Sequence, residues 1–354
     1  MPDYLVLVAA SANRVYTRAT PRLVAAELRF FAEALLPGQV GQITEESLGG
    51  VDYLGFIGPD LTEEQLAALG NLSGLHALFR RQGDLLKPLP VSRLNRFPDA
   101  LVTIPKYQGK TNELLTKLLL NVTALASARP QRLFTGELRV LDPLCGRATT
   151  LNQAMMYGLN AIGVDVDQRD TEAYVTFLTT WLKTYRYKHQ VERSTLRMSG
   201  TVVGRRVDIQ FAADRADYKG GRVQRLAVLT TDSTALTGLI KAGSMDVLVA
   251  DTPYGVRHGS HADRLSRHPA DLLTAALPGW VRLLRPGGAV GLAFNRHVAP
   301  RDRMTALLEE AGLVLHTGVA EDAFRHRVDR AIDRDLIIAA KPAHPEPADR
   351  PPPR

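Results

Sequence analysis

Only one cysteine, Cys145, occurs in 354 residues, which excludes an intramolecular disulfide framework and a multi-cysteine zinc site. Long apolar runs are also missing. None approaches the roughly 20 residues a bilayer-spanning helix needs, so no membrane span is expected. The start, Met1-Pro2-Asp3-Tyr4, leads into a short apolar stretch without a basic flank or cleavage-like site. A secretory signal is therefore not expected, and a cytoplasmic location is. The chain has no internal repeat, no Walker loop and no complete Gly-x-Gly-x-x-Gly. His258, His261 and His268 share a loop with Arg and Ser but lack carboxylates at ligand spacing, so no metal is expected there.

What is present is the composition of an ordinary globular protein, 45% hydrophobic and 23% charged. A chain this long predicts two domains, each able to bury its own core. The net charge of +7 favours an anionic partner such as nucleic acid, although the same balance also describes a plain solvated surface.

The first 95 residues read as a small α/β unit. Strands are expected at Tyr4–Ala9, Gly41–Ser47, Val51–Ile57 and Leu75–Arg80, and helices at Pro21–Leu35 and Thr62–Leu69. That βαββαβ order is the ferredoxin-like pattern. The proline-rich stretch Leu86–Pro98 interrupts both periodicities and reads as a linker. From Thr111, expected to cap a helix over Asn112–Leu125, the rest alternates short β-rich runs with helical stretches. Strands are expected at Arg139–Pro143, Ala161–Asp165, Ala227–Asp232, Met245–Asp251, Ala289–Phe294, Leu313–Ala320 and Leu336–Lys341. Such alternation predicts an α/β, Rossmann-like domain over residues 96–341 with a seven-stranded, mostly parallel sheet. The interval 183–225 is rich in Arg and Lys, with an inserted hairpin expected at Thr195–Phe211. The proline-rich tail, 342–354, is expected to be disordered.

In doubly wound folds the ligand crevice lies outside the carboxyl ends of the strands. Asp142, Pro143, Cys145, Gly146, Ala148 and Thr149 place an acid, then small residues, between the first strand and its helix, where a backbone can approach a cofactor. Asp165 ends the second strand, where a carboxylate can accept both hydroxyl hydrogens of a ribose. Asp232 and Ser233 follow the third, offering either an adenine contact or only a helix cap. Cys145 reads as packing rather than as a nucleophile.

The fourth strand runs into Asp251-Thr252-Pro253-Tyr254. An exocyclic amine of a base is a poor nucleophile because its lone pair is delocalised into the ring. Accepting both its N–H groups aims that pair at an electrophile such as a sulfonium methyl. The Asp251 carboxylate and Thr252 carbonyl suit that role, Pro253 stiffens the turn, and Tyr254 can stack on the ring. Candidate phosphate contacts are Arg257, His258, Arg205, Arg206, Arg197 and Lys188. Trp181, Tyr185 and Tyr187 read mainly as core, with an interface role as the alternative.

Over about Thr111–Pro342 these motifs resemble the class I amino-methyltransferases, and within them the tRNA guanine-N2 methyltransferase family. The resemblance implies S-adenosylmethionine as cofactor, with Asp142 and Gly146 lining it, Asp165 at the ribose and Asp232 at the adenine. It implies the target amine at Asp251 through Tyr254, and RNA, in particular tRNA, as partner. Thr252 stands where the motif usually has proline, and Ala148 where it usually has glycine. The first 95 residues leave no room for the full RNA-capturing THUMP domain. A DNA adenine-N6 or cytosine-N4 methyltransferase shares the motif, and a noncatalytic RNA-binding protein with a vestigial cofactor fold is the third reading.

Overall fold

A computed structural model describes residues 3–9, 14–105, 110–253 and 269–343. The amino-terminal unit contains β1 (Tyr4–Val8), α1 (Arg14–Leu35), β2 (Ile43–Leu48), β3 (Val51–Phe56), α2 (Glu63–Leu69), β4 (Leu75–Gln82) and β5 (Leu85–Leu89). Its antiparallel sheet has the order β2-β3-β1-β4-β5, which is a βαββαβ unit with one further edge strand. Helix α2 begins where the sequence marks it. Thr62 accepts from the Gln65 amide, and the Gln65 side chain accepts from the Thr62 amide.

Two expectations here are corrected. Helix α1 starts at Arg14, not Pro21. Pro21 removes one helical donor, but the first turns continue through it because Tyr16 is buried and Thr20 Oγ1 donates to the Tyr16 carbonyl at 2.7 Å. The expected linker contains β5, with Pro88 opposite Phe79. Proline is tolerated there because β5 is the edge strand and a donor is dispensable on its outer side.

The second unit begins with α3 (Ala100–Thr103), α4 (Glu113–Leu125) and α5 (Arg132–Thr135). Then β6 (Arg139–Asp142), α6 (Thr149–Met156), β7 (Asn160–Asp165) and α7 (Gln168–Thr184) alternate. Next come the hairpin β8 (His189–Met198) and β9 (Thr201–Phe211), then α8 (Arg215–Lys219), β10 (Gln224–Thr230) and β11 (Met245–Asp251). The chain continues through α9 (Pro269–Leu283), β12 (Leu284–Asn295), α10 (Arg301–Glu310), β13 (Val314–Leu315), β14 (His326–Arg327) and β15 (Asp333–Ala340).

The sheet has ten strands and is mixed, which corrects the expected seven, mostly parallel ones. Its path is β13-β15-β12-β11-β6-β7-β10-β9-β8, with β14 paired to β15. The central run β12-β11-β6-β7-β10 is parallel, and the outer pairings are antiparallel. Two of the three extra strands come from the basic insert, whose hairpin starts at His189 rather than Thr195 and extends the sheet beyond β10, and the third is β14 beside β15. Expected Leu313–Ala320 shortens to β13, and β12 begins at Leu284 rather than Ala289, its register with β11 interrupted between Met245 and Val247.

The chain crosses the sheet between β6 and β11: β7 and β10 follow on one side of β6, β12 on the other side of β11. That reversal opens a crevice at the carboxyl ends of β6 and β11. At the opposite end the two strands are clamped by Asp246, which accepts from Arg132 Nη1 (2.7 Å), Arg285 Nη1 (3.0 Å) and the Arg139 amide (2.8 Å). Helix α4 lies against β11, β12, α6 and α1. Gly291 in β12 faces it so closely that a Cβ would overlap Thr123 Oγ1. Gly291→Ala should therefore cost about 1–3 kcal/mol through overpacking, read from urea unfolding midpoints; an unchanged midpoint would show that α4 can give way.

Candidate functional site

The crevice collects three acids from three strand ends: Asp142 from β6, Asp165 from β7 and Asp251 from β11. Asp142 is 3% exposed. Its carboxylate accepts from the Leu144 amide at 3.1 Å and from the Thr150 side chain. Burial pushes its pKa up to about 7, and the Asp165 and Asp251 charges push the same way. Asp165 is also raised, mainly by burial. Its two oxygens accept from the Gly146 amide (2.8 Å) and the Asp167 amide (2.8 Å), tying the turn after β6 to the end of β7. Neither Asp142 nor Asp165 makes an ion pair among the described residues.

The turn between β6 and α6 is built for close approach. Gly146 has φ +47°, and nothing stands within 4 Å of where its Cβ would be. Pro143 is buried, and Thr149 opens α6 half-buried. Ala148 is fully buried at φ +58°, a left-handed conformation that costs an L residue roughly 1–2 kcal/mol. The Cys145 thiol is buried and its pKa is raised by burial and by the Asp142 charge, so it is a packed thiol rather than a thiolate nucleophile.

Asp251 is half-buried, and Thr111 Oγ1 donates to its Oδ2 at 2.6 Å. Thr111 is therefore not the cap of α4 that the sequence suggests. Asn112 caps the helix instead, accepting from the Leu114 and Leu115 amides, and this frees the Thr111 hydroxyl for Asp251. A carboxylate oxygen carries two lone pairs, so Asp251 keeps acceptor capacity beyond this bond. Nothing local in the sequence signals the pairing, because the partners are 140 residues apart. Thr252 is buried. Its amide and hydroxyl both donate to the Ala293 carbonyl, at 2.9 and 3.0 Å, which ties the motif to β12. Pro253 follows half-buried. Tyr254, Arg257 and His258 lie outside the described residues.

Asp232 is exposed and accepts from the Thr234 amide and hydroxyl, both at 2.8 Å, capping the short 3-10 turn Ser233–Gly238. Ser233 is buried, with its carbonyl accepting from Trp280 Nε1 at 2.8 Å. Three of the candidate phosphate contacts are engaged within the protein: Arg206 with Asp208 through two bonds of 2.7 Å, Arg205 with Glu172 at 3.5 Å, and Arg197 with the Gly200 carbonyl at 3.0 Å. Lys188 lies elsewhere, at the foot of the hairpin.

No family model matches the chain, and no curated protein matches it. Among solved structures, it is similar to magnesium protoporphyrin IX methyltransferase from Synechocystis with bound SAM, at 12% identity and TM-score 0.39, covering 66% of this chain and 86% of that one. It is similar to an N-methyltransferase of Bradyrhizobium japonicum at 14% identity and TM-score 0.34, covering 64% and 94%. It is also similar to a [4+2]-cyclase at 14% identity and TM-score 0.38, covering 68% and 86%.

The raised Asp142 pKa has a stability consequence. The folded carboxyl holds its proton up to about pH 7, whereas the unfolded one releases it near pH 4, so the folded state binds more protons between those values. This contribution is complete below about pH 4 and is lost as pH rises through about 7. Asp142→Asn should flatten the fall in urea-unfolding free energy over that window and be the more stable form at pH 8. An unchanged slope would assign the pH dependence to other acids.

Proposed function

We propose that this protein transfers a methyl group from S-adenosylmethionine to an exocyclic amine, and that its target is guanine N2 in tRNA or another structured RNA. The observation that carries the reading is the placement of Asp251-Thr252-Pro253 at the end of β11, beside the buried Asp142 at the end of β6.

The residues suit a cationic cofactor of this shape. Asp142 is a buried carboxyl beside two further carboxylates, so a positive charge brought into the crevice favours its ionised form. The open face of Gly146 admits a ligand against backbone, and Asp165 stands at the neighbouring strand end. When bound, S-adenosylmethionine supplies an electrophilic sulfonium methyl.

The chain's own residues prepare the nucleophile. Asp251 accepts an N–H of the target amine and, with water, takes the proton released on methylation. Thr111 holds one Asp251 oxygen, so the acceptor does not reorient during reaction. Thr252 is held by Ala293 through both amide and hydroxyl, which leaves its carbonyl as the second acceptor of the motif. The usual proline at this position could not make either bond, so threonine anchors the motif in another way.

The RNA assignment is supported by the net charge of +7 and by the βαββαβ unit packed beside the catalytic unit. Radiolabelled methyl donor supplied with total RNA, genomic DNA and protein should label RNA alone, with the product identified as N2-methylguanosine by mass spectrometry of the digest. Label confined to DNA would move the substrate to adenine N6 or cytosine N4, and no label in any fraction would favour a binding protein. Asp251→Ala should abolish transfer while calorimetry still detects cofactor binding. Thr111→Val should reduce kcat by about tenfold, as expected for loss of a bond that orients an acid–base group; full turnover in that variant would leave Thr111 a purely structural role.

A further inference from the structure

The basic residues of the insert are not equally engaged. On the hairpin, Arg197, Arg205 and Arg206 are ion-paired or bonded to backbone and Arg193 is not among the described residues, whereas at its foot three cations without such partners stand together. Arg186, Lys188 and Arg215 are exposed and make no ion pair and no side-chain hydrogen bond among the described residues. They line a cleft of about 480 Å3 together with Tyr185, Tyr187 and Asp214. Asp214 is the one acid in that lining, and its carboxylate caps α8 by accepting from the Asp217 amide at 2.7 Å. The cleft therefore presents three cations and little compensating charge.

Beside them stands an aromatic stack. Trp181 lies 4.6 Å from Tyr185 and 5.4 Å from Tyr187, centroid to centroid, with ring planes 25° and 16° apart. Phe97 meets Trp181 and Tyr187 edge-on from the core side. Trp181 is 4% exposed whereas Tyr185 is 39% exposed, so the stack is rooted in the core and opens at Tyr185. The turn that presents it is strained: Arg186 adopts φ +59°, where helix ends usually place glycine. Trp181 Nε1 is buried without a hydrogen-bond partner among the described residues. An exposed flat ring beside several uncompensated cations is the combination that holds an unpaired base and its phosphate.

Position distinguishes a polymer from a small molecule. Phe211, next to the cleft, pairs with Gln224 at the start of β10, while Thr230 at the end of β10 pairs with Asp165 of the crevice. Seven residues of β10 separate the two ends. At about 3.3 Å per residue they lie roughly 20 Å apart. A ligand serving both must span the depth of the sheet.

We propose that the cleft formed by Tyr185, Arg186, Tyr187, Lys188 and Arg215 binds an unpaired nucleotide of the same RNA whose target base enters the crevice at Asp251. The base stacks on Tyr185, and Arg186, Lys188 and Arg215 receive the phosphates. This rests on the RNA reading above but is read out by binding alone.

Fluorescein-labelled oligouridylate, titrated with the full chain and followed by anisotropy, should bind in a salt-dependent manner and quench the intrinsic fluorescence of Trp181. Tyr185→Ala should weaken binding by about fivefold or more, the range expected when one base loses its stacking ring. The double reversal Arg186→Glu with Lys188→Glu should weaken it at least as much and lower the salt slope by about two, one for each phosphate no longer neutralised. Both cations are exposed, so this variant keeps the test decisive even where Tyr185→Ala fails to fold. Arg205→Ala with Arg206→Ala should change affinity little. Unchanged affinity in the first two variants would overturn the proposal, as would equal competition by polyglutamate, which identifies a general anion site. Two outcomes separate the two readings. Oligouridylate binding through Tyr185 with no methyl transfer by the parent chain overturns only the enzymatic reading; transfer to RNA with Tyr185→Ala binding like the parent overturns only the cleft.

Discussion

Helix α4 has almost no solvent face: ten of its thirteen residues are buried, from Leu115 through Leu125. A helix apolar on all sides is stable only when elements surround it. Here α1 covers one side, and β11, β12 and α6 cover the others. One apolar cluster accordingly runs from Tyr4 and Phe30 in the amino-terminal unit to Leu118 and Met155 in the second unit. Burial at about 25 cal/mol per Å2 of apolar surface rewards docking of the two units as well as each unit's own folding. The same helix reaches the crevice at its end, because the residue before its Asn112 cap is Thr111, which donates to Asp251.

Polar groups give that packing its register. Glu27 of α1 is completely buried at the junction, and burial raises its pKa. It accepts from the Ser73 amide (2.9 Å) and hydroxyl (2.6 Å) and from Asn121 Nδ2 (2.7 Å). Asn121 in turn donates to the Asn71 carbonyl and accepts from the Tyr157 hydroxyl at 2.9 Å. A buried carboxyl with unmet acceptors is costly, so this network tolerates few alternative placements of α1 on α4. The same physics acts at the crevice with a different outcome. There Asp142 is buried with hydrogen bonds but without an ion pair among the described residues, and its carboxyl is held toward the protonated form.

Local chemistry makes much of the fold readable. β11 occupies the expected Met245–Asp251 because a buried parallel strand is a continuous apolar run, and α2 starts at its capping box. Helix α4 is legible in its leucines. Two of the misreadings share a cause, since in both a long-range partner outweighs a local signal. Pro21 marks a helix start in isolation, yet the burial of Tyr16 extends α1 past it. Pro88 breaks periodicity, yet an edge position beside β4 accommodates it. Asp142, Asp165 and Asp251 are identifiable from strand ends, whereas Thr111 is not, because its role exists only after β11 and α4 come together.

Charge shows the same distinction between content and placement. A net +7 points to an anionic partner but not to the surface that meets it. On the hairpin, Arg205 and Arg206 are matched by Glu172 and Asp208, so their charge is already partly compensated. A cation already paired must break that pair to bind phosphate, while an unpaired one only releases its counterions. The gain available to a polyanion is therefore greater at Arg186, Lys188 and Arg215, which stand beside the exposed Tyr185, than at the paired Arg205 and Arg206.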